Sequence, residues 1–184
     1  MKPHLYFIGI IPPDDLLNQI NLLKRDISEK YACRHALKTP AHITLQMPFK
    51  RFPEIESYLQ EKLKHFSENY FSFPVELNGF GHFGNRVIFI AIQKNESLDM
   101  LFKRLSNYLL NERVLIENEI KQQFVPHITL AHRDLKSEKF NYAWNEYGSK
   151  FFSERFIADS MTLFRHNFKK WEIINNFKFD RNYG

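Results

Sequence analysis

The tetrapeptide His-Ile-Thr-Leu occurs at residues 42–45 and again at 127–130, and each time it closes the same run of local patterns. An apolar segment comes first, Leu5 to Ile11 in one copy and Val87 to Ile92 in the other. Polar punctuation follows, Pro12-Pro13-Asp14-Asp15 and Lys94-Asn95-Glu96-Ser97. Then comes a stripe at helical spacing: Leu16, Leu17, Ile20, Leu22, Leu23 and Ile27 against Leu98, Leu101, Phe102, Leu105, Leu109 and Leu110. A proline, Pro40 or Pro126, stands just ahead of each tetrapeptide. Order and spacing repeat at about 85 residues, so the chain reads as a duplicated strand–helix–strand unit.

Duplication of such a unit limits the fold. A helix between two strands predicts a right-handed crossover packed on one sheet face. Two units then give an α+β, bilobal fold: two antiparallel-rich sheets facing a central cleft, with helices on the outside. The remaining segments complete it. Ile55, Tyr58, Leu59, Leu63 and Phe66 mark another helix, and residues 137–147 a short one. Residues 71–77 alternate like a strand in which Pro74 signals an edge or bulge. Asn78-Gly79-Phe80-Gly81 signals a turn, and residues 156–164 and 171–179 a hairpin joined through 167–170. Nothing in the sequence looks like a linker. The expectation is one domain over 1–184, with pseudo-symmetric lobes at about 1–85 and 86–184 and strands free to exchange between them.

Composition narrows the partners. A formal charge of +5 suits an anionic ligand such as RNA or a nucleotide, although no basic run of five occurs. The 19 phenylalanines imply an aromatic core with a few rings left to stack on bases. The lone Cys33 cannot form an internal disulfide, which suggests a reducing compartment. Asp14-Asp15 interrupts the first apolar run too early for a signal peptide, and no run approaches the roughly 18 residues of a membrane span. A cytoplasmic monomer with no membrane contact and no obligate protein partner is expected.

In a strand, residues i and i+2 share a face. His42 and Thr44 therefore point one way, with Ile43 and Leu45 the other, and the same holds for His127 and Thr129 against Ile128 and Leu130. Two related lobes would gather two imidazoles and two hydroxyls around one pocket. That set fits in-line phosphoryl transfer: a neutral imidazole takes the proton of the attacking water and an imidazolium protonates the leaving alkoxide. The hydroxyls donate to the non-bridging oxygens. No metal or cofactor is needed, and His4, His35, His65, His82 and His166 show no paired ligand spacing and read as surface or incidental residues. Four further residues are candidates for substrate contact: Phe49 and Phe83 as stacking rings, and Arg86 and Arg133 as phosphate ligands. Strand parity places Arg133, not His132, on the face of His127.

The paired motifs resemble those of the 2H phosphoesterases, which include 2′-5′ RNA ligase-like proteins and RNA 2′,3′-cyclic phosphodiesterases. The resemblance covers most of the chain. It implies the bilobal fold, metal-free action on cyclic phosphates, and catalytic roles for His42, Thr44, His127 and Thr129, with His42 as acid and His127 as base. RNA ligase-like members often continue the first motif with Phe-Leu-Gly, where this chain has Gln46-Met47-Pro48-Phe49, and carry an arginine where this chain has His132. The leading expectation is an enzyme that opens a 2′,3′-cyclic phosphate on RNA or a nucleotide. Its rivals are reversible 2′-5′ RNA joining, a non-catalytic nucleotide binder of the same fold, and action on a small non-RNA cyclic phosphate such as ADP-ribose 1″,2″-cyclic phosphate.

Overall fold

A computed structural model describes residues 2–121 and 123–179. Among these residues the strands are β1 (His4–Ile10), β2 (Ile43–Arg51), β3 (Phe73–Phe83), β4 (Val87–Ile92), β5 (His127–Ala131), β6 (Ser153–Ala158), β7 (Ser160–His166) and β8 (Trp171–Lys178). The helices are α1 (Asp14–Tyr31), α2 (Glu56–Ser67), α3 (Glu96–Asn111), the single turn α4 (Glu117–Ile120) and α5 (Ser137–Tyr147). The α+β class is as expected. No helix among the described residues is long and apolar enough to cross a membrane.

The two expected sheets are the halves of one continuous sheet, ordered β6-β3-β4-β5-β2-β1-β7-β8. The halves join between the two motif strands, where β2 and β5 share the single register pair Ile43↔Ile128. The expected crossover is also absent. β1 pairs directly with β2, and β4 with β5, each antiparallel, so each helix leaves and returns between adjacent strands. The handedness rule governs parallel strands and does not apply here. Both helices then cross the junction: α1 packs on β5 and α3 on β2. Each copy of the unit thus covers the other copy's motif strand.

The halves are discontinuous in sequence. β1 and β2 pair outward with β7 and β8, while β3, β4 and β5 are flanked by β6. The predicted arm 156–164 is therefore two strands, broken at Asp159: β6 pairs with β3, and β7 pairs with β1 and β8. The chain changes halves there because Phe156 and Ala158 are buried against β3 while Leu163 and Phe164 are buried beside β1. The predicted turn at 78–81 is a bulge. β3 runs on to Phe83, with a register shift against β4 between Leu77 and Phe80 and Gly79 at φ +69°. A glycine takes that conformation without steric cost, so one extra residue is absorbed and the strand continues. The turn itself falls at 84–86.

Packing follows the pattern that predicted the elements. Leu16, Ile20 and Ile27 of α1 and Leu98, Leu101, Leu105 and Leu109 of α3 are buried, as are Ile43, Leu45, Ile128 and Leu130 of the motif strands. Leu22, placed in the first stripe by spacing, is instead 63% exposed, and Lys24 is buried in the stripe.

Candidate active site

A cavity of about 760 Å³ opens over the junction of the motif strands, and His42, Thr44, His127 and Thr129 all line it. The four residues carrying the paired motif are therefore together. Alternation explains the selection: the isoleucines and leucines of β2 and β5 face the core, which leaves the histidines and threonines on the opposite side.

Both histidines are held by the same device. His42 Nδ1 lies 2.7 Å from the carbonyl oxygen of Pro40, and His127 Nδ1 lies 2.7 Å from that of Val125. A carbonyl only accepts, so Nδ1 carries the hydrogen in each ring and Nε2 is the nitrogen that titrates. Each ring also packs against a phenylalanine of the neighbouring strand. Phe7 of β1 lies 4.6 Å from His42 between ring centroids, and Phe89 of β4 lies 4.9 Å from His127. On the first side Gly9 makes room: a Cβ there would come within 2.8 Å of the Ile43 carbonyl oxygen and 3.3 Å of His42 Cδ2. A larger residue would push directly on the strand that carries the histidine.

The electrostatics of the cavity disfavour charge on these rings. Burial pushes the His42 imidazole down to about 4, and the nearby charges of Lys24, His127 and His132 push the same way. Burial also lowers His127. His132 is pushed to about 4 by burial, assisted by His35 and Arg133. Both motif histidines are therefore held toward the neutral form near pH 7.

The four substrate-contact candidates divide. Phe83 lines the cavity, 40% exposed, with its ring edge-on to His127 at 4.9 Å. Arg133 also lines it, although not through strand parity: β5 ends at Ala131, and Arg133 sits in the left-handed region at φ 58°. Phe49 must be corrected. It is 2% exposed, packs on Tyr6 and carries the Arg51 guanidinium 5.3 Å from its ring centre, so it is a core side chain and stacks nothing in the cavity. Phe49 has the strand parity of the buried Ile43 and Leu45, not that of His42 and Thr44, so it turns to the core side. Arg86 is exposed in the 84–86 turn and does not line the cavity.

Other residues escaped the sequence reading. His35 and His166 line the cavity, together with His132, Lys24, Lys38 and Trp171. The histidines carried no signal, because they come from a short 3-10 turn and from a strand remote in sequence. Lys24 had one: it stands four residues after Ile20 in the apolar stripe, where a lysine is unusual. A second, smaller cavity of about 310 Å³ adjoins the first on the His127 side, with Gln46, Met47, Phe83, Phe102 and Phe124 in its wall.

An antiparallel α+β sheet that brings two His-x-Thr motifs together beneath one cavity is the layout expected of the 2H phosphoesterases. Comparison with known proteins makes the assignment specific. Residues 12–169 match the model of the 2′-5′ RNA ligase superfamily, and the chain belongs to that family. A protein of Oceanobacillus iheyensis that bears a provisional phosphoesterase name is 25% identical over 179 residues, covering 96% of this chain and 98% of its own. A similarly named protein of Staphylococcus epidermidis is 25% identical over 179 residues, covering 92% of this chain and 96% of its own. Among solved structures, E. coli LigT complexed with 3′-AMP shares the fold at a TM-score of 0.72 and 17% identity, covering 98% of this chain and 100% of its own. TT0787 of Thermus thermophilus shares it at 0.71 and 18%, covering 97% and 98%.

Proposed function

We propose that this protein is a metal-independent cyclic phosphodiesterase that opens 2′,3′-cyclic phosphate ends of RNA or nucleotides. One observation carries the reading. The two motif histidines face one cavity, each anchored through Nδ1 so that Nε2 is the working nitrogen, with a threonine hydroxyl from each motif in the same wall. A plain binding pocket has no need of two proton-transfer groups placed as a pair. The solved complex of LigT with 3′-AMP is consistent with a nucleotide as ligand.

In the proposed step water attacks phosphorus in line with one ribose oxygen. His127 Nε2 takes the water proton, the bond from phosphorus to the ribose oxygen breaks, and His42 gives its Nε2 proton to that oxygen. Thr44 and Thr129 donate to the non-bridging oxygens, where negative charge accumulates. Arg133 supplies positive charge at the same oxygens. Phe83, at the cavity mouth, is the ring placed to stack on the base.

A product assay tests the reading. The protein is incubated with 2′,3′-cyclic nucleotides and with RNA ending in a cyclic phosphate, with and without EDTA and with a 5′-hydroxyl RNA as acceptor. The expected result is a ring-opened monoester formed equally fast with chelator. Activity lost in EDTA and restored by a divalent ion would overturn the metal-free mechanism. Joining of the two RNAs without hydrolysis would assign ligation instead, and tight nucleotide binding with no turnover would assign a binder.

The pH profile carries a further prediction. A phosphodiester remains a monoanion over the range in which histidine titrates, so the rate follows the enzyme. It falls at low pH as the base protonates and at high pH as the acid loses its proton, and the two limbs report the pair. In the free enzyme both histidines titrate below their ordinary value, His42 at about 4. The optimum of kcat/KM, which reports the free enzyme, should therefore lie below about pH 6.5. The bound phosphate charge raises both groups in the complex, so the optimum of kcat should lie at higher pH. A kcat/KM optimum at or above the kcat optimum would show that the rings are not held neutral in the free enzyme.

A further inference from the structure

Lys24 is a cation built into an apolar face. It lies in the buried stripe of α1 with Leu16, Ile20 and Ile27, and only 3% of it is exposed. Its ammonium donates to the Thr39 carbonyl oxygen at 2.7 Å. That bond uses one of three N–H groups, and among the described residues no carboxylate forms an ion pair with it. Burial lowers it to about 8, so it is still mostly charged at neutral pH. A buried charge is costly to keep unless something pairs with it, and the open side of Lys24 is the cavity.

Its neighbours are also nitrogen bases, although burial holds the imidazoles of His35 and His132 toward the neutral form. His35 and Lys38, from the 3-10 turn at 35–38, and His132, just past β5, line the same end of the cavity. The rings of His35 and His132 meet edge-on at 4.9 Å. Asp134 is the acid at hand, and its Oδ2 is already engaged, accepting from the backbone N–H groups of Arg34 at 2.7 Å and His35 at 2.8 Å. It pins the 3-10 turn to the segment after β5 and so holds the basic groups together.

This cluster has no counterpart in the duplicated half. The buried stripe of α3 is Leu98, Leu101, Leu105, Ser106 and Leu109, with no charge in it. On the His127 side the adjoining cavity is walled by Phe83, Phe102 and Phe124. In the proposed reaction the paired histidines and threonines, present in both halves, and Arg133 serve the reacting phosphate. The basic cluster lies on the His42 side, since Lys24 donates to Thr39, three residues before His42, and His35 and Lys38 come from the turn just ahead of it.

We infer that Lys24, with His35, Lys38 and His132, forms a second phosphate subsite beside the histidine pair, so that the preferred substrate carries a phosphoryl group besides the cyclic one. The inference rests on the cyclic phosphodiesterase reading for its kinetic test but not for its binding test. The second group is either a 5′-phosphate on a mononucleotide or the phosphodiester that links the terminal nucleotide to the rest of an RNA.

Three substrates separate these sources: a nucleoside 2′,3′-cyclic phosphate, the same compound with a 5′-phosphate, and a dinucleotide ending in the cyclic phosphate. The expected result is a kcat/KM about tenfold or more higher for at least one of the latter two, the scale of one charge-assisted contact. Lys24→Met keeps the packed stem and removes the charge, and it should bring the ratio close to one. Lys24→Arg should restore part of it. Lys38→Ala, at an exposed position, should lower the ratio in the same direction without touching the core. Equal rates for all three substrates, a preference that survives Lys24→Met, or an equal loss on all three in that variant would overturn the subsite; the last would assign Lys24 to the reacting phosphate.

Calorimetric binding of adenosine 3′,5′-bisphosphate and adenosine 3′-monophosphate gives the same comparison without turnover. The bisphosphate should bind about tenfold tighter to the native protein and not to Lys24→Met. Equal affinities in the native protein would overturn the subsite even if turnover is observed. Tighter bisphosphate binding without turnover would retain it while the phosphodiesterase reading fails.

Discussion

His42→Ala and His127→Ala are each expected to lower kcat on a 2′,3′-cyclic nucleotide by about 10²–10⁴-fold, the worth of one positioned acid or base. The two rings serve one proton circuit, the one taking a proton while the other gives one, so their losses should not add. The double variant is expected to fall little further than the more damaged single variant, because once either partner is gone the other has nothing to complete. Neither ring holds up the core. Each lies at the cavity wall with one hydrogen bond to a local carbonyl and one face on a phenylalanine. Circular dichroism and a thermal midpoint near that of the native protein should accompany the loss. A folded single variant that keeps a near-native rate would end the paired-histidine mechanism.

Thr44→Val and Thr129→Val are expected to cost less, about 10²-fold each in kcat, with KM little changed. Valine keeps the shape of threonine and removes the hydroxyl, so the variants report the donor alone. A donor aimed at a developing oxyanion in a water-poor site is worth about 2.7–4 kcal/mol, and these hydroxyls stand in a partly open cavity, which places them at the low end. The reading requires the loss to appear in kcat, because the charge on the non-bridging oxygens grows toward the transition state. A loss confined to KM would make the hydroxyls ground-state ligands. Native kinetics in the double valine variant would remove them from the mechanism.

The distribution of what could be read beforehand has a physical pattern. Periodicity located α1, α3 and α5 and the strands that carry the motif, since an element that buries one face must write that face into its sequence. It failed where two solutions share one pattern. Asn78-Gly79 is written the same way for a turn and for a bulge, and only the partner strand β4 made it a bulge. The segment 156–164 is apolar enough for one long strand, and only its contacts divide it between two halves of the sheet. The apolar stripe includes Leu22, which lies on the solvent side, whereas Lys24 keeps the spacing without being apolar and is buried. A stripe wide enough to be seen is too wide to say which edge faces the core.

The sequence by itself determined that the chain repeats one strand–helix–strand pattern, that it is α+β, and that His42, Thr44, His127 and Thr129 stand opposite the core-facing isoleucines and leucines of their motifs. These are local facts, because strand alternation fixes which side chains leave the core together. Only the tertiary structure decided that the two sheets are one, that each helix covers the other copy's motif strand, and that Lys24, His35, Lys38 and His132 gather at one end of the cavity. Those residues come from a helix, a turn and a loop whose separation along the chain says nothing of their distance in space. Packing across the β2–β5 junction brought them together, and no periodicity within a single element encodes a contact between elements.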